Sequence, residues 1–134
     1  MVGFPGETDQ DFEESLQFVE AIGFSQLHVF RYSARKGTPA ADFENQVPSH
    51  ISSERSKRMI ELGQQTAHAF RKQMIGQSTE ILVENVKNGK QLEGFTSNYL
   101  RAQVNDYPAK INQIVPAILT SVQGDVMLAK PIEC

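Results

Sequence analysis

The sequence predicts an α/β segment followed by an all-β one, joined by a long helix. Three observations carry this. A glycine-rich turn at residues 2–8 leads into a run with helical spacing and then into an apolar run, the pattern of a strand–helix–strand unit. A longer amphipathic run follows. After Gly76 the period changes to two, punctuated by Asn88-Gly89 and Gly124-Asp125, which are hairpin signals.

Thr8 is a good N-cap for the first helix, and Asp9, Asp11 and Glu13 place negative charge in or near the first turn, where the helix dipole favours it. Phe12, Leu16, Val19 and Ile22 give that helix one apolar side, and Gly23 suits its C-terminal stop. Phe24 to Tyr32 is expected to be a strand buried on much of both faces, paired in parallel with a short remnant at Met1-Val2. Ser33 to His50 holds Gly37, Pro39 and Pro48 without a period and reads as a long loop. The second helix is expected from Ser52 or Ser53 to about Ile75. Met59, Leu62, Thr66, Phe70 and Met74 form its apolar stripe, and Arg55, Lys57, Arg58, Arg71 and Lys72 a solvated face. Glu54, Lys57, Arg58 and Glu61 have spacings suited to surface ion pairs.

In the last part, strands are expected at Thr79–Val86, Leu92–Thr96, Tyr99–Val104, Ile111–Val122 and Val126–Ala129. Pro116 argues for an edge position or for two shorter strands. About five short antiparallel strands suggest a small closed barrel of the OB-like class.

Composition bounds the function. The 134 residues are 40% hydrophobic and 22% charged, as in globular proteins, and the net charge of −3 gives no global pull on nucleic acid. The single cysteine, Cys134, can form neither an internal disulfide nor a zinc cluster. No run is apolar enough to span a membrane, and no signal peptide is evident, so a cytoplasmic location is expected. The start inside a strand-to-helix turn suggests a piece of a longer protein.

Three segments together are specific: Val-Gly-Phe-Pro-Gly-Glu-Thr at 2–8 leading into Asp-Phe-Glu-Glu at 11–14; Gln-Leu-His-Val-Phe-Arg-Tyr-Ser at 26–33 leading into Arg-Lys-Gly-Thr-Pro-Ala-Ala at 35–41; and Glu-Gly-Phe-Thr-Ser-Asn-Tyr-Leu-Arg at 93–101. The combination resembles the C-terminal part of the radical-SAM methylthiotransferases, most closely the branch acting on threonylcarbamoyladenosine in tRNA. The resemblance implies three parts: a remnant of the radical-SAM partial (β/α) barrel at 1–50, a linking helix at 51–75, and a TRAM-like RNA-binding β-barrel at 76–134. It implies a parent enzyme with two 4Fe-4S clusters that cleaves S-adenosylmethionine to a radical and installs a methylthio group on C2 of the adenine. It also implies two partners: the tRNA anticodon arm and a missing N-terminal part of the same enzyme. The cluster cysteines are absent here, so this chain alone is expected to be inactive and to bind no cofactor tightly. A ribosomal-protein methylthiotransferase and a free-standing RNA-binding module are the rival readings.

Gly3, Phe4, Pro5, Gly6 and Glu7 form either a purely structural turn or, as the resemblance implies, backbone lying against S-adenosylmethionine, with Glu7 bonding the cofactor or bracing the turn. Phe30 is a core residue and His28 a satisfied polar contact or, on the family reading, both flank the cofactor or the target base. Arg31, Ser33 and Arg35 lie toward the strand's C-terminal end, where ligands of parallel folds sit, and an arginine fork suits phosphate or carboxylate. Lys87, Lys90, Tyr99 and Arg101 combine cations with an aromatic ring, as RNA binding requires. Glu84 and Glu93 oppose a strongly basic patch there, and Phe95 is read as a core residue.

Overall fold

The computed structural model describes residues 1–132, so Cys134 lies outside the described residues. These fall into two compact units, Met1–Ala69 and a second from Phe70 onward.

In the first unit, helix α1 spans Asp9–Ile22. Its N-terminus is closed by a capping box: the Thr8 hydroxyl accepts from the Asp11 N–H at 3.1 Å, and the Asp11 carboxylate accepts from the Thr8 N–H at 2.8 Å. Gly23, with φ of 67°, ends it in the left-handed conformation expected of a glycine cap. Helix α2 spans Ser49–Gln73 and begins earlier than the sequence suggests, directly after Pro48. Phe12 and Val19 of α1 pack with Val2 and Met59 in a buried cluster, with Leu16, Leu27, Val29 and Leu62 against it.

The expected strand at Phe24–Tyr32 is not formed. A single parallel bridge joins Val2 to Arg31, made by the Val2 N–H to the Phe30 carbonyl and the Tyr32 N–H to the Val2 carbonyl, each 2.8 Å. Nor are both faces buried: Leu27 and Val29 are half-buried, while Phe24, His28 and Phe30 are exposed. The physical reason is that a parallel strand is covered on both sides only within a sheet carrying helices on both faces. Here α1 and α2 both pack on the one side that holds Val2, Leu27 and Val29, and among the described residues the other side has no cover. The loop at 33–48 contains one turn of 3-10 helix, Pro39–Asp42.

The second unit is a closed barrel of five strands: β1 (Ser78–Lys87), β2 (Gln91–Thr96), β3 (Arg101–Val104), β4 (Ile114–Gln123) and β5 (Val126–Pro131), in the order β1-β2-β3-β5-β4. This is a small OB-like barrel. It is not wholly antiparallel, because β3 and β5 pair in parallel, as closing this order requires. Asn88 and Gly89 both have positive φ, 51° and 70°, so the β1–β2 hairpin uses the turn type that Asn-Gly favours.

Pro116 neither lies at an edge nor splits β4. Its carbonyl accepts from the Ile132 N–H at 2.8 Å, so its nitrogen faces that same neighbour, just past the last β4–β5 pair, Ala117 with Pro131. The missing donor therefore falls where the ladder ends. Ile81, Val83, Leu92, Ala102, Val104, Val115, Ala117, Leu119, Met127 and Ala129 fill the interior, with Leu100, and Phe70 and Met74 pack against them. Gly94 is demanded by this packing: a Cβ there would sit 1.9 Å from the Leu82 carbonyl oxygen, beside the bulge between Val83 and Asn85.

Candidate functional site

The turn at residues 3–7 is built by backbone geometry and one buried cation. Gly3 and Gly6 adopt φ of 78° and 88°, so both positions suit glycine. Gly3 also passes close to helix α2, since a Cβ there would lie 2.6 Å from the Ser52 Cβ. Gly6 is open: nothing approaches its Cβ direction, and its N–H is held by the Asn45 carbonyl at 2.9 Å. The Glu7 carboxylate folds back over the turn, where Oε1 accepts from the Gly3 N–H at 2.9 Å.

Arg55, expected on a solvated face, is instead buried at 6% exposure. Its guanidinium donates to Glu7 Oε1 at 2.7 Å, to the Glu7 carbonyl at 3.0 Å and to Asp9 Oδ1 at 2.8 Å. Burial alone would push this guanidinium's pKa down. The hydrogen bonds to Asp9 and Glu7 and their charges outweigh that and hold it above its ordinary value. Helical spacing puts residue 55 one turn before Met59, on the inward side, and that was the available signal for it. Arg58 does not pair within its own helix but reaches Glu13 of α1 at 2.6 Å, and both arginines lie over the Phe12 ring.

Beside the turn stands an aromatic group that the sequence did not single out as a set. Phe4 meets Tyr32 edge-on at 5.3 Å between centroids and Phe43 at 6.2 Å. Phe43 comes from the loop and is missed because nothing local marks it. Among the described residues, the buried Tyr32 hydroxyl has no hydrogen-bond partner. Phe30 points to solvent at 67% exposure. Arg31 is engaged: it donates to the Ser49 carbonyl and hydroxyl at 3.2 and 2.9 Å and to the Ser52 hydroxyl at 3.3 Å. Gly3 and Arg31 thus converge on the start of α2, whereas Ser33 and Arg35 are exposed on the loop.

On the barrel, Lys87 and Lys90 flank the hairpin turn, and Lys87 pairs with Glu93 at 2.6 Å. The hydrogen bond from Lys87 holds the Glu93 carboxyl below its usual pKa. Arg101 stands 3.7 Å from Asp125. Tyr99 precedes β3 rather than belonging to it, in a turn with φ of 62°, and is 79% exposed. Phe95 is not in the core. It alternates with the inward Gly94 and Thr96, and register puts Ile114, Leu82, Phe95 and Arg101 in one row across the outside of β4, β1, β2 and β3. A groove of about 390 Å³ runs past Leu82, Phe95, Tyr99 and Ile114, bordered by Glu80 and Glu84. Cation and ring do share a surface, but carboxylates interrupt it. No helix among the described residues is long and apolar enough to cross a membrane.

The structure thus joins a capped helix entered through a glycine turn to an OB-like barrel that exposes Tyr99 and Arg101. The comparisons with known proteins are more specific. The chain is 42% identical over 121 residues, 87% of its length, to the tRNA-2-methylthio-N(6)-dimethylallyladenosine synthase of Ehrlichia canis, and 47% identical over 90 residues, 67% of its length, to that of Ehrlichia chaffeensis. The same enzyme of Ehrlichia ruminantium matches at 39% over 125 residues. These matches bear out the resemblance: the chain is a relative of the tRNA methylthiotransferases. It spans only 20%, 27% and 28% of the length of these curated relatives. No protein-family model matches it.

Proposed function

We propose that this chain serves as the cofactor-flanking and RNA-gripping part of a tRNA methylthiotransferase. The observation that carries this is the identity to enzymes of that name across both units of the chain. The relatives' names print 2-methylthio-N(6)-dimethylallyladenosine as the product, so the dimethylallyl form of adenosine replaces threonylcarbamoyladenosine as the favoured target. On this reading residues 1–50 are a remnant of the radical-SAM barrel, α2 links, and residues 76–134 are a TRAM-type barrel holding the anticodon arm.

The residues present can be tested against the implied cofactors. An iron–sulfur cluster needs several thiolates, and the sequence holds one cysteine. Among the described residues no three His, Cys, Asp or Glu side chains are grouped to hold a metal. The clusters do not fit this chain, and no step here runs through them. For S-adenosylmethionine the reading is supported by two observations: the turn leaves Gly6 open, and the buried Tyr32 hydroxyl lacks a partner, its ring meeting Phe4 edge-on. Backbone at Gly3 to Gly6, the Glu7 carboxylate, and Phe4 with Tyr32 and Phe43 would hold it. When bound in the complete enzyme, it supplies the radical chemistry and the methyl group.

For the RNA, Lys87, Lys90 and Arg101 would meet phosphates, and Tyr99 would stack on an unpaired base. Titrating the chain with an anticodon stem-loop while recording amide shifts tests this. Shifts should concentrate at residues 87–101, and binding should weaken with salt, each phosphate contact adding about −0.7 to the log–log slope for single-stranded RNA. Equal response to a ribosomal-protein peptide would favour the rival family branch.

A further inference from the structure

We infer that Arg55 is a positioning residue for ligand binding at the glycine turn, acting through Glu7. This deepens the reading above, since it takes the turn to be the part that meets S-adenosylmethionine.

Arg55 lies 48 positions from Glu7 in sequence, yet it makes the turn's strongest polar contacts. It fixes the turn at three points. One nitrogen holds both the Glu7 carbonyl and Glu7 Oε1, and a second holds Asp9 at the entry to α1. Because the Gly3 N–H also bonds Glu7 Oε1, the turn's two ends share one carboxylate oxygen, and Arg55 anchors that oxygen to α2.

Among the described residues, the hydrogen bonds on the Glu7 side chain all fall on Oε1. The second oxygen, Oε2, is left to accept a donor from a ligand such as a ribose hydroxyl or an amino group. A planar guanidinium can hold one carboxylate and reach a second at the same time, whereas an ammonium is a point charge and cannot fix both geometries. Glu7 would therefore touch the ligand, and Arg55 would set which of its oxygens is free.

The test uses the 134-residue chain with S-adenosylhomocysteine as the probe, titrated up to its solubility limit because this chain alone is expected to bind it only weakly. Amide shifts of residues 3–7 report binding, and hydrogen exchange of the Gly3 and Val19 amides reports the turn and α1 separately. Arg55→Lys keeps the positive charge and the fold. It should weaken the probe's apparent affinity about tenfold, the loss of one charge-assisted hydrogen bond, and should speed Gly3 exchange while leaving Val19 exchange unchanged. Val19→Ala, which loosens the same unit without touching the turn, should leave the affinity of the folded chain near wild type.

Wild-type affinity in Arg55→Lys would overturn the positioning role. So would an equal loss in Val19→Ala, because the effect would then be general loosening. Absence of any probe response in the wild-type chain would instead sink the underlying assignment of the turn, and the inference with it.

Discussion

The two units solve the same problem, holding a short chain folded, by opposite means. The barrel closes its sheet on itself, so every strand has a partner on each side, and its interior is filled by side chains that are almost all completely buried. The first unit has one bridge in place of a ladder and a core built around Val2, Phe12, Val19 and Met59. It compensates with polar cross-links between distant positions: Arg55 to Glu7 and Asp9, Arg58 to Glu13, and Arg31 to Ser49 and Ser52. It also leaves Phe18, Ile22, Phe24 and Phe30 exposed. A closed barrel is complete by itself, whereas an open strand–helix unit has faces that other structure could cover. The barrel amides should accordingly exchange more slowly than those of α1 in the same molecule. Equal protection would remove the contrast.

The largest single effect should come from Phe12→Ala. Phe12 is fully buried and carries both Arg55 and Arg58 over its ring, so its loss should cost the first unit about 3–5 kcal/mol. Denaturant unfolding followed by amide exchange should show α1 open while the barrel stays protected. Loss of barrel protection as well would show that the units are energetically one. The reciprocal variant is Gly94→Ala. Its new methyl would collide with the Leu82 carbonyl, forcing β1 and β2 apart at a cost of about 3 kcal/mol, paid in the barrel alone. A thermal midpoint unchanged from wild type would mean that the bulge can absorb the methyl.

Arg55→Met ranks next. Removing the cation leaves the half-buried Glu7 carboxylate without its main partner, while the exposed Asp9 returns to water at little cost. The net loss should be about 2 kcal/mol, below the figure for a fully buried pair. The double variant Arg55→Met with Glu7→Gln should recover part of this. Failure to recover would show that packing on Phe12, and not charge, is what Arg55 contributes.

How much of this was legible in the sequence follows from the range of the forces involved. Local rules placed Thr8, Gly23 and Asn88-Gly89, because caps and tight turns are decided within a few residues. Alternation likewise found the strands of the barrel. Phe24–Tyr32 misled because an apolar run states a capacity for burial, while the burial itself depends on neighbours that this chain does not supply. Phe95 was misplaced for a related reason: an aromatic in a strand is read as core, but the register with Gly94 sends it outward. At the candidate site the turn was legible from its own residues. Arg55 and Phe43 were not, since each reaches it from a segment separated by a loop or a helix. A buried arginine among surface-like neighbours has only its helical phase to betray it.

The smallest effect concerns the cap of α1 and separates two contributions on one residue. Asp11 is held below the usual carboxylate pKa first by the Thr8 N–H and second by the Thr8 hydroxyl. A carboxyl whose folded pKa is depressed contributes stability that is present above its unfolded pKa and is lost as pH falls through the folded value. Acid should therefore remove the Asp11 contribution to the α1 cap below the ordinary aspartate range. Thr8→Ala removes the hydroxyl but keeps the backbone N–H. It should cost about 1 kcal/mol at neutral pH, and the Asp11 midpoint, followed by carboxyl chemical shift, should rise only part of the way to the ordinary value. A complete return would assign the whole effect to the hydroxyl and leave the backbone bond without a role in holding this charge.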